Sequence, residues 1–406
     1  MPTLAVGMLG NLRKHAHGKR GHGTHSFNCR TVLGRRNRRG SRVMSSQKAK
    51  ERVLAAINHA ETDRIPVMYR GLPETDAKLC GHFHLGPAGE HGLELLERLG
   101  ADLFSGGSSL GKYTRVTPKY TGPLNDAHGT SHLDHVWGLI PEQVSAATHT
   151  YVDWTNHPMA AFSSVRQIEQ YPSPRIEDFD FSGMVVDENI RQRAMYSVGK
   201  LNHIFMIAAR LRGMDRLLMD MAAEPVLAEA IISKVAEFAV ELNRKSLEQA
   251  GDCVDHYVLW DDIAMQNGMM MSPAQWNRYL KKWYETLYAD AKKAGLKILY
   301  HCCGSFHPII PTLIDIGVDI LDPVQTSARE MDLRTLKQRY GNNICWHGGI
   351  DVQRLLPYGT VSDVRDAVRE AEELFGHGGG IILGPSHEIT PDTPIENILA
   401  VYGLSV

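Results

Sequence analysis

The sequence predicts a (β/α)8 barrel, an α/β fold with an elaborated loop excursion around residues 107–200, and three observations carry that expectation. Short apolar runs bounded by polar or Gly/Pro residues alternate with amphipathic helical stretches, as repeated βα units do. Eight such runs can be placed along the chain. Polar side chains capable of chemistry stand directly behind them, and a barrel of this kind gathers its active site at the carboxyl ends of its strands.

The chain of 406 residues, 43% of them hydrophobic, is long enough to bury one large core. Residues 44–406 read as a single barrel domain. Residues 1–43 read as a basic arm: ten of the 44 Lys and Arg fall there and none of the 46 Asp and Glu. The arm is rich in Arg, His, Gly and Ser and shows no sustained apolar period, so it cannot offset its ordering entropy by burial. Three explanations compete for it: an organellar transit peptide, a basic interaction arm, or upstream sequence counted into the reading frame. The third is preferred, because Met44 is followed by Ser-Ser-Gln and by the helical pattern Val53, Leu54, Ile57.

Without the arm the body is acidic and would repel the phosphates on which nucleic-acid binding rests, so no nucleic-acid partner is expected. No run of about 18 apolar residues occurs, so no membrane span is expected. The six cysteines, at 29, 80, 253, 302, 303 and 345, form no secreted-domain framework, and a reducing cytoplasm fits them best.

In chain order, the expected strands are 65–69, 101–105, 203–208, 254–260, 296–300, 318–321, 344–346 and 380–383. The expected helices are 90–99, 225–249, 273–294, 306–316, 331–340 and 360–375. Ser272 before Pro273 is an N-cap followed by proline at the first helical position. Gly295 and Gly317 stand where helices end before strands. The excursion mixes Pro, Gly, Tyr, Trp and His and includes an alternating piece at 148–154. Loops longer than about 15 residues are usually functional, which makes this one a candidate substrate cover.

Behind the expected strands come Arg70, Asp261 and Asp262, His301 and Cys303, Asp322 and Gln325, His347 and Asp351, then Ser386 and His387. His301 and Cys303 stand two apart at a strand end, and zinc favours imidazole and thiolate with one position left open for substrate. His387, at another strand end facing the same mouth, is the expected third ligand. The competing reading makes His301 a locally bonded ring and the cysteines buried fillers. Asp262 is read as catalytic, able to hold metal or to orient a ligand, and Asp322 and Asp351 as further catalytic candidates. Asp351 is equally placed to cap a helix, and Asp261 to cap the turn that follows it. Arg70, Trp260, Asp261, Gln325 and His347 are expected to line the substrate. Residues 378–380 precede a strand and lack nucleotide-loop context, so they read as a turn. Met269–Met271 reads as an apolar wall. No Gly-x-Ser-x-Gly elbow stands in a fitting context.

The segments His301-Cys302-Cys303-Gly304-Ser305, Ile320-Leu321-Asp322-Pro323-Val324-Gln325, Gly348-Gly349-Ile350-Asp351 and Gly384-Pro385-Ser386-His387, followed by Pro391-Asp392-Thr393-Pro394-Ile395-Glu396-Asn397-Ile398, resemble in that order the uroporphyrinogen decarboxylase superfamily. The resemblance runs from about residue 50 to the end. The His-x-Cys-Gly signature is similar to the branch of zinc-dependent corrinoid methyltransferases, which act on methanol, methylamines, betaines, chloromethane or methoxylated aromatics. What it implies is a (β/α)8 barrel whose zinc is held by His301 and Cys303. The branch's third ligand, a later Cys, is replaced by His387, which would make the metal more Lewis acidic and suit it to polarising a methoxy oxygen rather than activating a thiol. The decarboxylases' paired arginines are reduced at Pro66–Pro73 to Arg70 alone, too little to neutralise a polycarboxylate.

The expected function is therefore methyl transfer from a small methylated substrate, a methoxylated aromatic, methylamine, betaine or similar, to a corrinoid carried by a partner protein, with zinc as Lewis acid. The alternatives are a metal-free decarboxylase of the porphyrin type and a non-catalytic metal- or ligand-binding barrel.

Overall fold

A computed structural model describes residues 44–86, 92–104, 115–122, 136–145, 150–186, 191, 195–199, 201–376 and 378–405. The basic arm therefore lies outside the described residues. The pattern after Met44 forms the helix Met44–Ile57. No helix among the described residues is long and apolar enough to cross a membrane.

Among the described residues nine strands make the parallel set: β1 (Met68–Tyr69), β2 (Leu103–Phe104), β3 (Arg115–Val116), β4 (Ser197–Val198), β5 (His256–Trp260), β6 (Lys297–His301), β7 (Ile320–Val324), β8 (Cys345–Ile350) and β9 (Ile381–Pro385). The last seven of these, taken from β9 back to β3, lie side by side in strict order. β1 pairs with β2, and a parallel bridge between Val67 and Leu383 sets β1 beside β9. No ladder joins β2 to β3 among the described residues. The fold is α/β with a parallel sheet, and from β4 onward helices stand between successive strands.

Seven of the eight expected strands are present with shifted ends. The exception is 203–208, which is not a strand: it lies in the helix Ile204–Arg212, and β4 takes its place in the sheet. A short continuous apolar run does not distinguish a buried strand from a buried helix. Here Ile204, Phe205, Ile207, Ala208 and Leu211 are all fully buried, so the run is apolar on every side. Its start is fixed from far along the chain: the Asp261 carboxylate accepts hydrogen bonds from Phe205 N at 2.7 Å and Met206 N at 2.9 Å. These satisfy orphan donors of the first helical turn.

The expected helices are all present, with the one over 273–294 running as Pro273–Trp276, a π turn and Lys282–Lys293. Ser272 caps it through a reciprocal bond with Gln275. Gly295 and Gly317 adopt φ of 76° and 99°, as the left-handed residue after a helix must. The excursion contains an antiparallel ladder, Pro141–Ser145 with Thr150–Trp154, which takes in the alternating piece from Thr150 on. Both ends of the excursion, at β3 and β4, belong to the sheet itself.

Side chains on a strand alternate between faces, and this period organises the molecule. On one face Met68, Val258, Leu299, Ile320, Cys345 and Ile382 form a separate apolar cluster with Val53 and Ile57 of the first helix. On the other face Tyr257, Leu259, Tyr300, Leu321, Trp346 and Leu383 join the large core shared with the helices. Two residues beyond the separate cluster, on its own face, come Arg70, Trp260, His301, Asp322, His347 and Gly384. A polar layer thus lies directly over an apolar one.

The Asp261 cap yields a prediction. Asp261→Ala leaves two helix-start N–H groups and the Tyr284 hydroxyl, 2.7 Å from the carboxylate, without an acceptor. It should lower unfolding free energy by about 2–4 kcal/mol in a denaturant titration. A loss within about 0.5 kcal/mol would show that the cap contributes little.

Candidate metal centre

Asp322, on β7, is 2% exposed and holds the polar layer together. Arg70 Nη2 donates to both of its oxygens at 2.9 Å. His301 Nδ1 lies 2.6 Å from Oδ2 and His347 Nδ1 lies 2.6 Å from Oδ1. Burial alone would raise the carboxyl pKa, but Arg70 and the two rings outweigh it and hold Asp322 well below the usual carboxylate range. Both rings therefore donate through Nδ1, and each leaves its Nε2 lone pair free in the neutral tautomer.

His301 ends β6, and its Nε2 faces two other donors: Cys303 Sγ at 3.7 Å and Asp262 Oδ1 at 4.0 Å. Among the described residues the ligand atoms of Asp262, His301 and Cys303 all lie within 4.8 Å of one another. Trp260 stacks on the His301 ring, 4.8 Å between centroids and 20° from parallel, and keeps it upright. The backbone around Cys303 is equally fixed. Its N–H donates to Asp262 Oδ1 at 2.8 Å, and the next N–H, of Gly304, donates to Gln325 Oε1 at 2.7 Å. Gly304 has φ of 85°, and a Cβ there would stand 2.7 Å from the Met265 carbonyl oxygen. No other residue suits that turn.

This donor set fits a zinc-type cation. A ligating imidazole usually gives its second nitrogen to a carboxylate, as His301 gives Nδ1 to Asp322. Burial pushes the Cys303 thiol well above its ordinary pKa, and the Asp262 carboxylate pushes it the same way. A thiol so placed becomes a thiolate against a bound cation.

The remaining expected site residues divide. Asp261, next to Asp262, points to the opposite face, where burial raises its pKa to about 6 and its three bonds serve the helix start and Tyr284. Asp351 accepts from the backbone N–H groups of Gln353, Arg354 and Leu355 at 3.0, 3.1 and 3.3 Å. Its carboxylate caps that turn, so the catalytic role is corrected to the capping one. Arg70 is 1% exposed and faces Asp322, and Gln325 positions Gly304 rather than opening to a ligand. His347 is 1% exposed, and its Nε2 has no hydrogen-bond partner among the described residues.

His387 lies outside the 4.8 Å group. Its Nδ1 meets Glu388 Oε2 at 2.5 Å. Burial works to lower its pKa, but Glu388 overrides that and raises it. Sequence reasoning passed over Glu388, although a carboxylate directly beside a candidate ligand is a visible signal. Cys302 is fully buried; its N–H donates to the Asp322 carbonyl and its Sγ accepts from Ile263 N, so it is a packing residue.

Asp322→Ala would remove the buried carboxylate that Arg70, His301 and His347 share. The expected loss is about 3–5 kcal/mol of unfolding free energy, measured by denaturant titration; a loss under about 1 kcal/mol would mean that Arg70 finds another partner.

Comparison with known proteins places these features in a family. Residues 157–404 match the family model of uroporphyrinogen decarboxylase (URO-D). A methylated-thiol–coenzyme M methyltransferase of Methanosarcina mazei is 21% identical over 200 residues, 48% of this chain and 49% of that protein. A uroporphyrinogen decarboxylase of Trichodesmium erythraeum is 23% identical over 177 residues, 43% of this chain and 46% of that protein. The chain thus spans about half the length of the curated relatives it matches. Among solved structures, a methyltransferase from Methanosarcina mazei superposes with a TM-score of 0.57 at 18% identity, covering 87% of this chain and 97% of that one, a likeness of fold. The family match spans more than half of the chain, and the protein belongs to the uroporphyrinogen decarboxylase family.

Proposed function

We propose that this protein is a zinc-dependent methyltransferase that moves a methyl group from a small methylated substrate to a corrinoid carried by a partner protein. The observation that carries the reading is the convergence of Asp262, His301 and Cys303 with His301 oriented by Asp322. The sheet would close into a (β/α)8 barrel with this group at its mouth, as the family expectation has it. A relative and a structural neighbour that bear the name methyltransferase favour this class.

Asp262, His301 and Cys303 would hold the zinc. His387 is the further candidate, since its Nδ1 contact with Glu388 leaves Nε2 available. Zinc would supply the Lewis acidity that polarises the methyl-bearing heteroatom. Asp322 keeps His301 in the ligating tautomer and Trp260 gives the ring a flat wall. Gln325 and Gly304 hold the Cys303 loop in one conformation, which is the preorganisation such a site requires. The corrinoid would accept the methyl group.

Porphyrinogen decarboxylation, the activity in the names of two other relatives, fits the site less well. Arg70 faces Asp322 and is 1% exposed, so it is a poor receptor for substrate carboxylates.

Elemental analysis of purified protein should find about one zinc per chain, lost in His301→Ala and in Cys303→Ala, with affinity reduced about tenfold or more in Asp262→Asn. The zinc-loaded protein should form methylcobalamin from cob(I)alamin and at least one member of a panel of methoxyaromatics, methylamines and betaines. Metal-free protein that decarboxylates uroporphyrinogen and transfers no methyl group would reverse the assignment.

A further inference from the structure

Four consecutive N–H groups, from Cys302 to Ser305, lie outside any helix or strand, and each donates to a partner on another strand or on the segment behind one. Cys302 N reaches the Asp322 carbonyl oxygen at 2.9 Å and Cys303 N reaches Asp262 Oδ1 at 2.8 Å. Gly304 N reaches Gln325 Oε1 at 2.7 Å and Ser305 N the Met265 carbonyl oxygen at 2.9 Å. Irregular backbone at a strand end commonly leaves such groups to solvent, where they open and exchange freely. Here Cys302, Gly304 and Ser305 are buried, and the whole turn that presents the Cys303 thiol is satisfied from β7 and from the segments behind β5 and β7.

One short element reaches two of these bonds. Behind β5 the chain turns back on itself as the antiparallel hairpin Ala264–Met265 with Gly268–Met269. Its first strand lies flat on the Cys303 turn: a Cβ on Gly304 would stand 2.7, 2.8 and 3.0 Å from O, C and N of Met265. At the tip of the hairpin Gln266 meets the segment behind β7. Its carbonyl oxygen accepts from Arg329 N at 2.9 Å, and its Nε2 donates at 3.4 Å to Gln325 Oε1, the oxygen that also receives Gly304 N. The hairpin thus ties together the segments behind β5, β6 and β7, which carry Asp262, Cys303 and Gln325.

We propose that this hairpin is a clamp that preassembles the metal group, with Gln266 as a positioning residue, so that Cys303 stands against His301 and Asp262 before any cation arrives. The inference deepens the metal-centre reading and rests on it only for what the assembled donors receive. A turn held by bonds to its neighbours needs no ligand to order it, and donors on such a turn are preorganised. This sets the site apart from those that form only as the metal folds them. Gly268 gives a way to disturb the clamp alone. It has φ of 149°, and a Cβ there would meet no atom within 4 Å, so Gly268→Ala strains the hairpin backbone without a clash.

Amide hydrogen exchange on the metal-free full chain tests this, with Co(II) titration of the same samples as the second readout. In the metal-free protein the Cys303, Gly304 and Ser305 amides should exchange about a hundredfold slower, or more, than the exposed Asn267 amide. Gln266→Ala should speed exchange at Gly304, and Gly268→Ala at Ser305, each about tenfold or more. The Phe205 and Met206 amides, bonded to Asp261, should keep their rates in both variants and so report an intact fold. Both variants should bind Co(II) about tenfold more weakly, with a weaker thiolate-to-cobalt charge-transfer band; a merely structural role would lower stability and leave that band unchanged. Fast exchange of the turn in the metal-free protein, slowed only by the cation, overturns the clamp, and unchanged rates at Gly304 in Gln266→Ala overturn the role of Gln266. Slow exchange in a protein that binds no Co(II) would sink the metal-centre reading and leave the clamp standing, whereas Co(II) binding to a fast-exchanging turn would do the reverse.

Discussion

One buried carboxylate sets the terms for the rest of the site. Asp322 could not remain ionised at 2% exposure on its own, because desolvation of a lone carboxylate is prohibitive. Arg70 and the N–H groups of His301 and His347 make it tolerable, and each is constrained in return. Arg70 is held away from solvent, and both imidazoles are fixed in tautomer and orientation. The Nε2 of His301 then has one direction available, towards Cys303 and Asp262.

That constraint operates because the strands deliver the four residues to one face. The same two-residue period separates Asp262 from Asp261, neighbours with opposite duties. One holds the Cys303 backbone beside His301; the other faces the helical layer and fixes the start of Ile204–Arg212. Above the polar layer, Gly304 and Gln325 hold the loop that presents the thiol. The site is thus built on strand ends and one braced turn rather than on the long excursion.

Much of this was legible in the sequence for physical reasons. Strands β5 to β9 announce themselves by short apolar runs between helices, and His301, Cys303 and Asp262 stand at or just behind the ends of two of them. What escaped was whatever depends on distant partners. The run at Ile204 looked like a strand because its helical cap, Asp261, lies 56 residues away. Two-residue strands such as β3 carry no period to detect. Arg70 read as a substrate group because nothing in its neighbourhood reveals a carboxylate 252 residues on. Asp351 was ambiguous between cap and catalyst, and the backbone N–H groups it meets decide for the cap.

The central claim is that a single thiolate, one imidazole and one carboxylate from Asp262, His301 and Cys303 bind zinc while Cys302 stays out. X-ray absorption fine structure on zinc-loaded protein tests it most directly. The account predicts one sulfur at about 2.3 Å with the remaining donors nitrogen or oxygen at about 2.0–2.2 Å. A zinc shell with no sulfur, or with two, would contradict it.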